Sequence, residues 1–413
     1  MVECGTVGFG GYRISLGNND HEEALRYAVE SGCQLIDTSS NYTDGRSESL
    51  IGMVINDYDR KPLIVSKGGY IQGNNLAVIK ELNDAGKAVD DLVDISKTLK
   101  HSIHPEFLDK QIELSLSRLR VQALDAYLLH NPEYYFEQKD ATRDEYYSRI
   151  EKALVYLETQ VEAGRIKSYG ISSNTLVSSP DQPNATSFLQ VMEIVDAHGL
   201  KGFSYIQFPF NLLERGALDQ CENGKNLIEN ARARGVKTMI NRPLNAFGPD
   251  NSLVRLADYR QWIKHTIDEQ SVSDLYALLF TELTEAVPLS IEDIRSSKGI
   301  MTFSKYYKEV ESTDMLDILF NRHLIPDFST LCKGEIPENL VSIIRDLYVA
   351  MDRELLERTS EKAEVVAAEF GVVSSADKNL TSALVEYYLS CGVDYVLVGM
   401  KHRNYVDQLK YLF

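Results

Sequence analysis

Leu35-Ile36-Asp37-Thr38-Ser39-Ser40-Asn41-Tyr42 carries an apolar run into an acid, then a polar loop into a phenol five residues later. Further on, Leu63-Ile64-Val65-Ser66 ends in Lys67, and Ala126-Tyr127-Leu128-Leu129 ends in His130. Four ionisable groups thus stand at or just past the C-terminal ends of three apolar strands. In a parallel α/β barrel those ends share one face, and chemistry is found on that face.

Outward from this stretch, short apolar runs alternate with amphipathic ones. Strands are expected near 6–9, 34–37, 63–67, 125–130, 166–171, 203–207, 236–240 and 394–398. Helices are expected near 21–31, 47–56, 105–119, 143–163, 186–197, 224–234 and 403–412. Alternation implies a parallel sheet, and eight units favour a closed (β/α)8 TIM barrel over an open doubly wound sheet. The chain reads as one barrel over 1–413 with two insertions. The first, 68–104, follows the third strand and is polar. The second, 251–357, follows the seventh strand. There Leu340, Ile343, Ile344, Leu347, Met351 and Leu355 recur at three- and four-residue spacing, one apolar stripe of a helix. A helical subdomain on the top face is expected.

A formal charge of -18 over 413 residues argues against a nucleic-acid partner and an anionic membrane surface. Charged residues at 25% and apolar ones at 44% are ordinary globular composition. Cys4, Cys33, Cys221, Cys332 and Cys391 form no CxxC pair, which fits reduced thiols and a cytoplasmic location. MVECGTVGFGGYRIS lacks the pattern of a secretory leader, and no apolar run is long enough to span a bilayer. No metal site is expected: HExxH is absent, and His101 with His104 is a lone i, i+3 pair. The glycines between Gly5 and Gly11 lack the strand–loop–helix spacing of a dinucleotide loop. Nothing in the sequence speaks to oligomeric state.

The four groups suit one kind of chemistry. A phenol donates a proton at neutral pH, and a nearby cation such as Lys67 favours its ionised form. Asp37 can hold Lys67, and His130 can hydrogen-bond a substrate oxygen. Together they suit protonation of an oxyanion formed by hydride attack on a carbonyl. The hydride must come from a cofactor.

Seven motifs follow the strands in turn: DTSSNYTDGRSESLIG (37–52), IVSKGG (64–69), LDAYLLHNPE (124–133), GRIKSYGISSN (164–174), IQFPFNLL (206–213), RPLNAFG (242–248) and VLVGMKHRNYVDQL (396–409). In these the chain resembles the aldo-keto reductase family. The resemblance implies an NAD(P)-dependent reductase of an aldehyde, ketone or sugar, or the reverse dehydrogenase. Tyr42 would be the proton donor, Lys67 would lower its pKa, Asp37 would anchor Lys67, and His130 would position the carbonyl. Ser172, Asn174 and Gln207 would bind the nicotinamide carboxamide, with Phe210 stacked on the ring. Pro243, Leu244 and Asn245 would hold the pyrophosphate. Gly399, Met400, Lys401, Arg403 and Gln408 would hold the adenosine end, although Asp407-Gln408 stands where members often carry Glu-Asn. Lys401 and Arg403 favour NADP, with NAD open. The second insertion would cover the cofactor and select the substrate. The resemblance also allows an NADP-binding regulatory subunit that docks a partner through that insertion. A barrel hydrolase would need a second placed carboxylate or a metal.

Overall fold

A computed structural model describes residues 5–87, 89–221, 223–247, 253–260, 271–375 and 378–413. Gly248 of the sixth motif and residues 251–252 and 261–270 of the second insertion lie outside the described residues.

Eight parallel strands close a barrel: β1 (Thr6–Gly10), β2 (Leu35–Asp37), β3 (Leu63–Gly68), β7 (Ala126–His130), β8 (Tyr169–Ser172), β9 (Phe203–Pro209), β10 (Lys237–Asn241) and β13 (Tyr395–Gly399). Between them in the chain lie helices α1 (Asn19–Glu30), α2 (Arg46–Ile55), α4 (Pro105–Leu119), α5 (Arg143–Glu162), α6 (Phe188–His198) and α7 (Leu227–Ala233), with α14 (Leu380–Ser390) before β13 and α15 (Arg403–Leu409) after it. This is the (β/α)8 barrel expected from the alternation. Among the described residues no helix is long and apolar enough to cross a membrane.

Strand periodicity explains where the site falls. Leu35, Val65, Leu128, Met239 and Leu397 fill the barrel interior. Side chains alternate along a strand, so the residues two further on return to the same side one layer higher. Those residues are Asp37, Lys67, His130, Asn241 and Gly399. Register then sets them around one rim. Asp37 pairs with Gly10 and Val65, Lys67 with Leu128, His130 with Ser172, and Ser172 with Gln207.

The first insertion, read as a polar segment, is a folded lobe. It holds β4 (Tyr70–Ile71), α3 (Asn75–Asp84), β5 (Val93–Ser96) and β6 (Leu99–His101). Its strands form an antiparallel sheet in the order β4-β6-β5. Val78, Ile79 and Leu82 of α3 pack with Ile71, Val89 and Phe107, which explains why so polar a stretch still folds.

After β10 come two short strands, β11 (Asn245–Phe247) and β12 (Leu253–Arg255). The chain divides into two compact units, one of Met1–Val254 with Phe370–Phe413, the other of Arg255–Glu369. The second unit is helical: α8 (Val272–Ala286), α9 (Ile291–Arg295), α10 (Lys298–Tyr306), α11 (Thr313–Ile318), α12 (Ile325–Leu331) and α13 (Glu338–Glu369). Leu279, Leu283, Phe303, Phe320, Leu340 and Leu347 centre its apolar core. The stripe read from Leu340 to Leu355 lies on α13, but that helix runs on past the expected boundary at 357. Its last buried positions are Ser360, Ala363 and Ala367, residues too small to register as an apolar stripe.

Candidate active site

Lys67 is wholly buried, and its ammonium donates to Asp37 Oδ2 at 2.7 Å and to the Thr38 carbonyl at 2.8 Å. It lies 3.4 Å from the Tyr42 hydroxyl. A buried ion pair is favourable only when its remaining protons and lone pairs are met. Here the third direction of the ammonium points at the phenol, and Asp37 Oδ1 accepts from Gln207 Nε2 at 2.8 Å.

Tyr42 opens a tight turn, Tyr42–Gly45, in which Thr43, Asp44 and Gly45 all have positive φ (46°, 60° and 81°). For a β-branched threonine that conformation costs on the order of 1–3 kcal/mol. The turn is held by Thr43 Oγ1 donating to the Ile14 carbonyl at 2.8 Å and by Asp44 Oδ1 accepting from the Asn74 N–H at 2.8 Å. The first-insertion lobe therefore helps to aim Tyr42.

Burial, then the Asp37 carboxylate, then Tyr12 push the Tyr42 phenol well above its ordinary pKa. The resemblance implied the opposite direction through Lys67. Desolvation is the largest cause of the net upward direction. Burial also pulls the Lys67 ammonium down, against the upward pull of Asp37. At neutral pH Tyr42 carries its proton.

His130 is buried and held neutral: burial, then Lys67, then His101 depress its pKa well below the usual value. Its Nδ1 lies 3.0 Å from Ser39 Oγ, and its backbone carbonyl accepts from His101 Nε2 at 2.7 Å. Burial lowers His101 to about 4. His104 caps α4, its Nδ1 accepting the Glu106 N–H at 3.3 Å. Tyr12 stands edge-on to Tyr42 at 5.0 Å, and Tyr70 to His130 at 4.7 Å.

Gln207 joins this cluster to the next strands. Its Oε1 accepts from Ser172 Oγ at 3.2 Å and from Asn241 Nδ2 at 3.4 Å. Ser172, Gln207, Asp37, Lys67 and Tyr42 form one connected run. Asn174 follows β8, partly exposed, with its N–H bonded to Glu133 Oε1 at 2.8 Å. Pro243 is buried, while Leu244 and Asn245 are half-buried beside it. Gly399 is exposed at the rim, and Lys401 is half-buried. Arg403 is engaged on α1, paired with Glu23 at 3.3 Å and over the Tyr27 ring at 4.1 Å. Gln408 is buried in α15, its Nε2 without a described partner.

Two expected contacts are corrected. Phe210 is fully buried and meets Tyr388 edge-on at 5.7 Å, so it offers no face for a ring to stack on. The Met400 side chain is also fully buried, which leaves only its backbone for a ligand. Sequence reasoning missed three groups. Asn241 closes β10, and the strand-end rule that selected Lys67 and His130 selects it too. Ser39 and Glu133 carried no signal of their own, because His130 and Asn174, which they meet, lie far along the chain.

A family model described as the aldo/keto reductase family matches residues 2–248. Among curated proteins the chain is similar to Aldo-keto reductase YhdN of Bacillus subtilis (strain 168), 24% identical over 221 residues that cover 52% of this chain and 52% of that protein. It is also similar to the NADH-specific methylglyoxal reductase of Escherichia coli (strain K12), 21% identical over 244 residues, 58% of this chain and 62% of that protein. These matches span about half the length of the curated relatives. A solved glycerol dehydrogenase from Gluconobacter oxydans aligns over 98% of this chain and 86% of its own, at 18% identity and a TM-score of 0.48. Because the family model covers more than half of the residues, the chain belongs to the aldo/keto reductase family.

Proposed function

We propose that the chain is an NAD(P)-dependent oxidoreductase that reduces a small aldehyde, ketone or sugar carbonyl, or runs the reverse oxidation. One observation carries this: a protonated phenol 3.4 Å from a buried ammonium that is itself anchored by a carboxylate, all at the mouth of the barrel. Tyr42 donates its proton to the oxygen as negative charge develops there. Lys67 stabilises the phenolate left behind, and Asp37 keeps Lys67 in place. The neutral imidazole of His130 hydrogen-bonds the same oxygen and so orients the carbonyl.

The rim fits a nicotinamide carboxamide. Asn241 Oδ1 is buried without a described partner, a waiting acceptor for an amide N–H, and Ser172 and Gln207 flank it. Ser172, Asn174, Gln207 and Asn241 would hold that end, with Leu244, Asn245, Gly399 and Lys401 towards the phosphates and adenosine. Such a cofactor supplies the hydride that no side chain can. Relatives are named for both cofactors: an NADP(+) aldo-keto reductase of Schizosaccharomyces pombe and the NADH-specific enzyme above. Lys401 tips the reading towards NADP.

Fluorescence titration with NADPH and NADH, followed by turnover on a panel of carbonyls, tests the proposal. Tyr42→Phe is expected to lose roughly 10²–10⁴ in kcat, the usual worth of a placed general acid, with cofactor Kd within a few-fold. Retained turnover in that variant removes Tyr42 from the role. Tight cofactor binding without turnover on any carbonyl would favour the regulatory subunit instead.

A further inference from the structure

Glu133 is a buried acid to which the chemistry above gives no task. It lies in the turn Pro132–Glu137, three residues after His130, and is only 8% exposed. Its Oε1 accepts the backbone N–H of Asn174 at 2.8 Å. The Ser173 hydroxyl and the Thr175 N–H also favour its charged form, while Oε2 is buried without a partner at full hydrogen-bond geometry. Two residues earlier, the Asn131 N–H bonds the Ser172 carbonyl at 2.7 Å. Two clasps therefore tie the loop after His130 to the loop carrying Ser172 and Asn174. Asn131 Nδ2 donates to the Tyr70 hydroxyl at 2.6 Å, which fixes the turn from the lobe side.

We propose that Glu133 is a positioning residue for the nicotinamide end of the cofactor, its carboxylate holding the Ser172–Asn174 loop in register with His130. The inference rests on the functional reading above. A neutral amide could cap the same N–H without the cost of burying a charge. A carboxylate binds the loop more strongly and makes that grip depend on pH. Burial raises Glu133 to about 7, so its charge is lost as pH falls through neutrality. The titratable groups that face it are Tyr70 from β4 and Tyr146 from α5, both phenols pushed up and uncharged at neutral pH. On the neighbouring elements, His101 is committed to the His130 carbonyl and Arg149 to the Asp91 carbonyl.

The test compares wild type, Glu133→Ala and Glu133→Gln. It measures Kd for NADPH and NADH, and for the adenosine halves alone (adenosine 2′,5′-bisphosphate and AMP), at pH 6 and pH 8. In Glu133→Ala, affinity for the whole dinucleotide should fall roughly tenfold or more, the worth of a hydrogen bond to a charged group. Affinity for the adenosine half should stay within about twofold of wild type. Wild-type dinucleotide binding should weaken from pH 8 to pH 6, whereas Glu133→Gln, which keeps an acceptor but cannot titrate, should be flat and should recover much of the alanine loss. Equal loss for dinucleotide and adenosine half would mark a merely structural residue and overturn the inference, as would wild-type affinity in Glu133→Ala. Should the alanine variant not fold, a glutamine variant with an unchanged pH dependence overturns it alone. A wild type that binds neither dinucleotide overturns the functional reading and this inference together.

Discussion

The same chemistry appears in two settings in this molecule. At the barrel mouth Lys67 and Asp37 pair at 2.7 Å with their side chains almost wholly buried. In the helical unit Arg260 bridges Asp258, at 2.9 Å, and Glu364, with the guanidinium 38% exposed. The surroundings differ as sharply. The barrel unit buries Asp37, Glu48, Lys67, His101, His130 and Glu133, whereas the described polar residues buried in the helical unit are Asp258 and Ser360. A buried charge is costly unless it is matched, so a fold that collects several at one rim has been shaped by something other than stability. The helical unit, with its apolar core, has been shaped mainly by packing.

The sharpest way to break this comparison is Lys67→Met. Removing one partner of a buried pair leaves Asp37 uncompensated, which costs about 3–5 kcal/mol. Turnover should fall at least as far as in Tyr42→Phe, because the phenolate loses its cation. The counterpart in the helical unit is Leu279→Ala. Leu279 is fully buried in an apolar cluster, and such truncations cost about 2–5 kcal/mol. Amide exchange should accelerate first in α8 and α13. If Leu279→Ala changed the pH profile of turnover while Lys67→Met left it intact, the division of labour would be reversed.

Much of the mouth was legible because one rule, a chemical group at the C-terminal end of an apolar strand, applies to each strand separately. It located Asp37, Lys67 and His130 and would have located Asn241. Phe210 failed because it lies beyond the strand, where a proline and a turn follow and an aromatic in the chain says nothing of which side it faces. The first-insertion lobe was hidden by its composition: its apolar positions, Ile71, Val78, Ile79 and Leu82, are few and widely spaced among charges. Glu133 could not be read at all, since its meaning depends on Asn174, 41 residues away. The upward shift of Tyr42 was not legible, because its largest cause is burial, which the local sequence does not record.

Acid should separate the two units next. His101 titrates at about 4 in the fold, against an unfolded value near 6.5, and His130 is shifted the same way. A depressed pKa means the folded barrel binds fewer protons than the unfolded chain. Its contribution is complete above about pH 6.5 and is lost as pH falls towards 4, on the order of 3 kcal/mol for His101 at most. Glu133 acts in the opposite sense. Raised to about 7 from an unfolded 4.5, it adds stability as pH falls from 7 to 4.5. Protection of the barrel-strand amides, relative to their intrinsic exchange rates, should therefore fall between pH 6.5 and 4.5, more steeply in Glu133→Gln and less steeply in His101→Gln. The slope in α8 and α13 should be flat by comparison; a slope there as steep as in the barrel would contradict the contrast in buried charge.

The smallest expected effect is Arg260→Ala. The Arg260 guanidinium meets the carboxylates of Asp258 and Glu364 with two hydrogen bonds each, so its removal takes away the cation that bridges them. In a buried setting that would be severe. Here water reaches the arginine and Glu364, and exposed pairs are worth at most about 1 kcal/mol. Salt shields such charges within about 10 Å at 0.1 M, so the loss should shrink further as ionic strength rises. The Lys67–Asp37 pair, which water does not reach, should show no such salt dependence. Measuring both variants at low and high salt therefore asks the opening question directly. An Arg260→Ala loss that matched Lys67→Met and ignored salt would mean that the helical unit hides its charge as deeply as the barrel does.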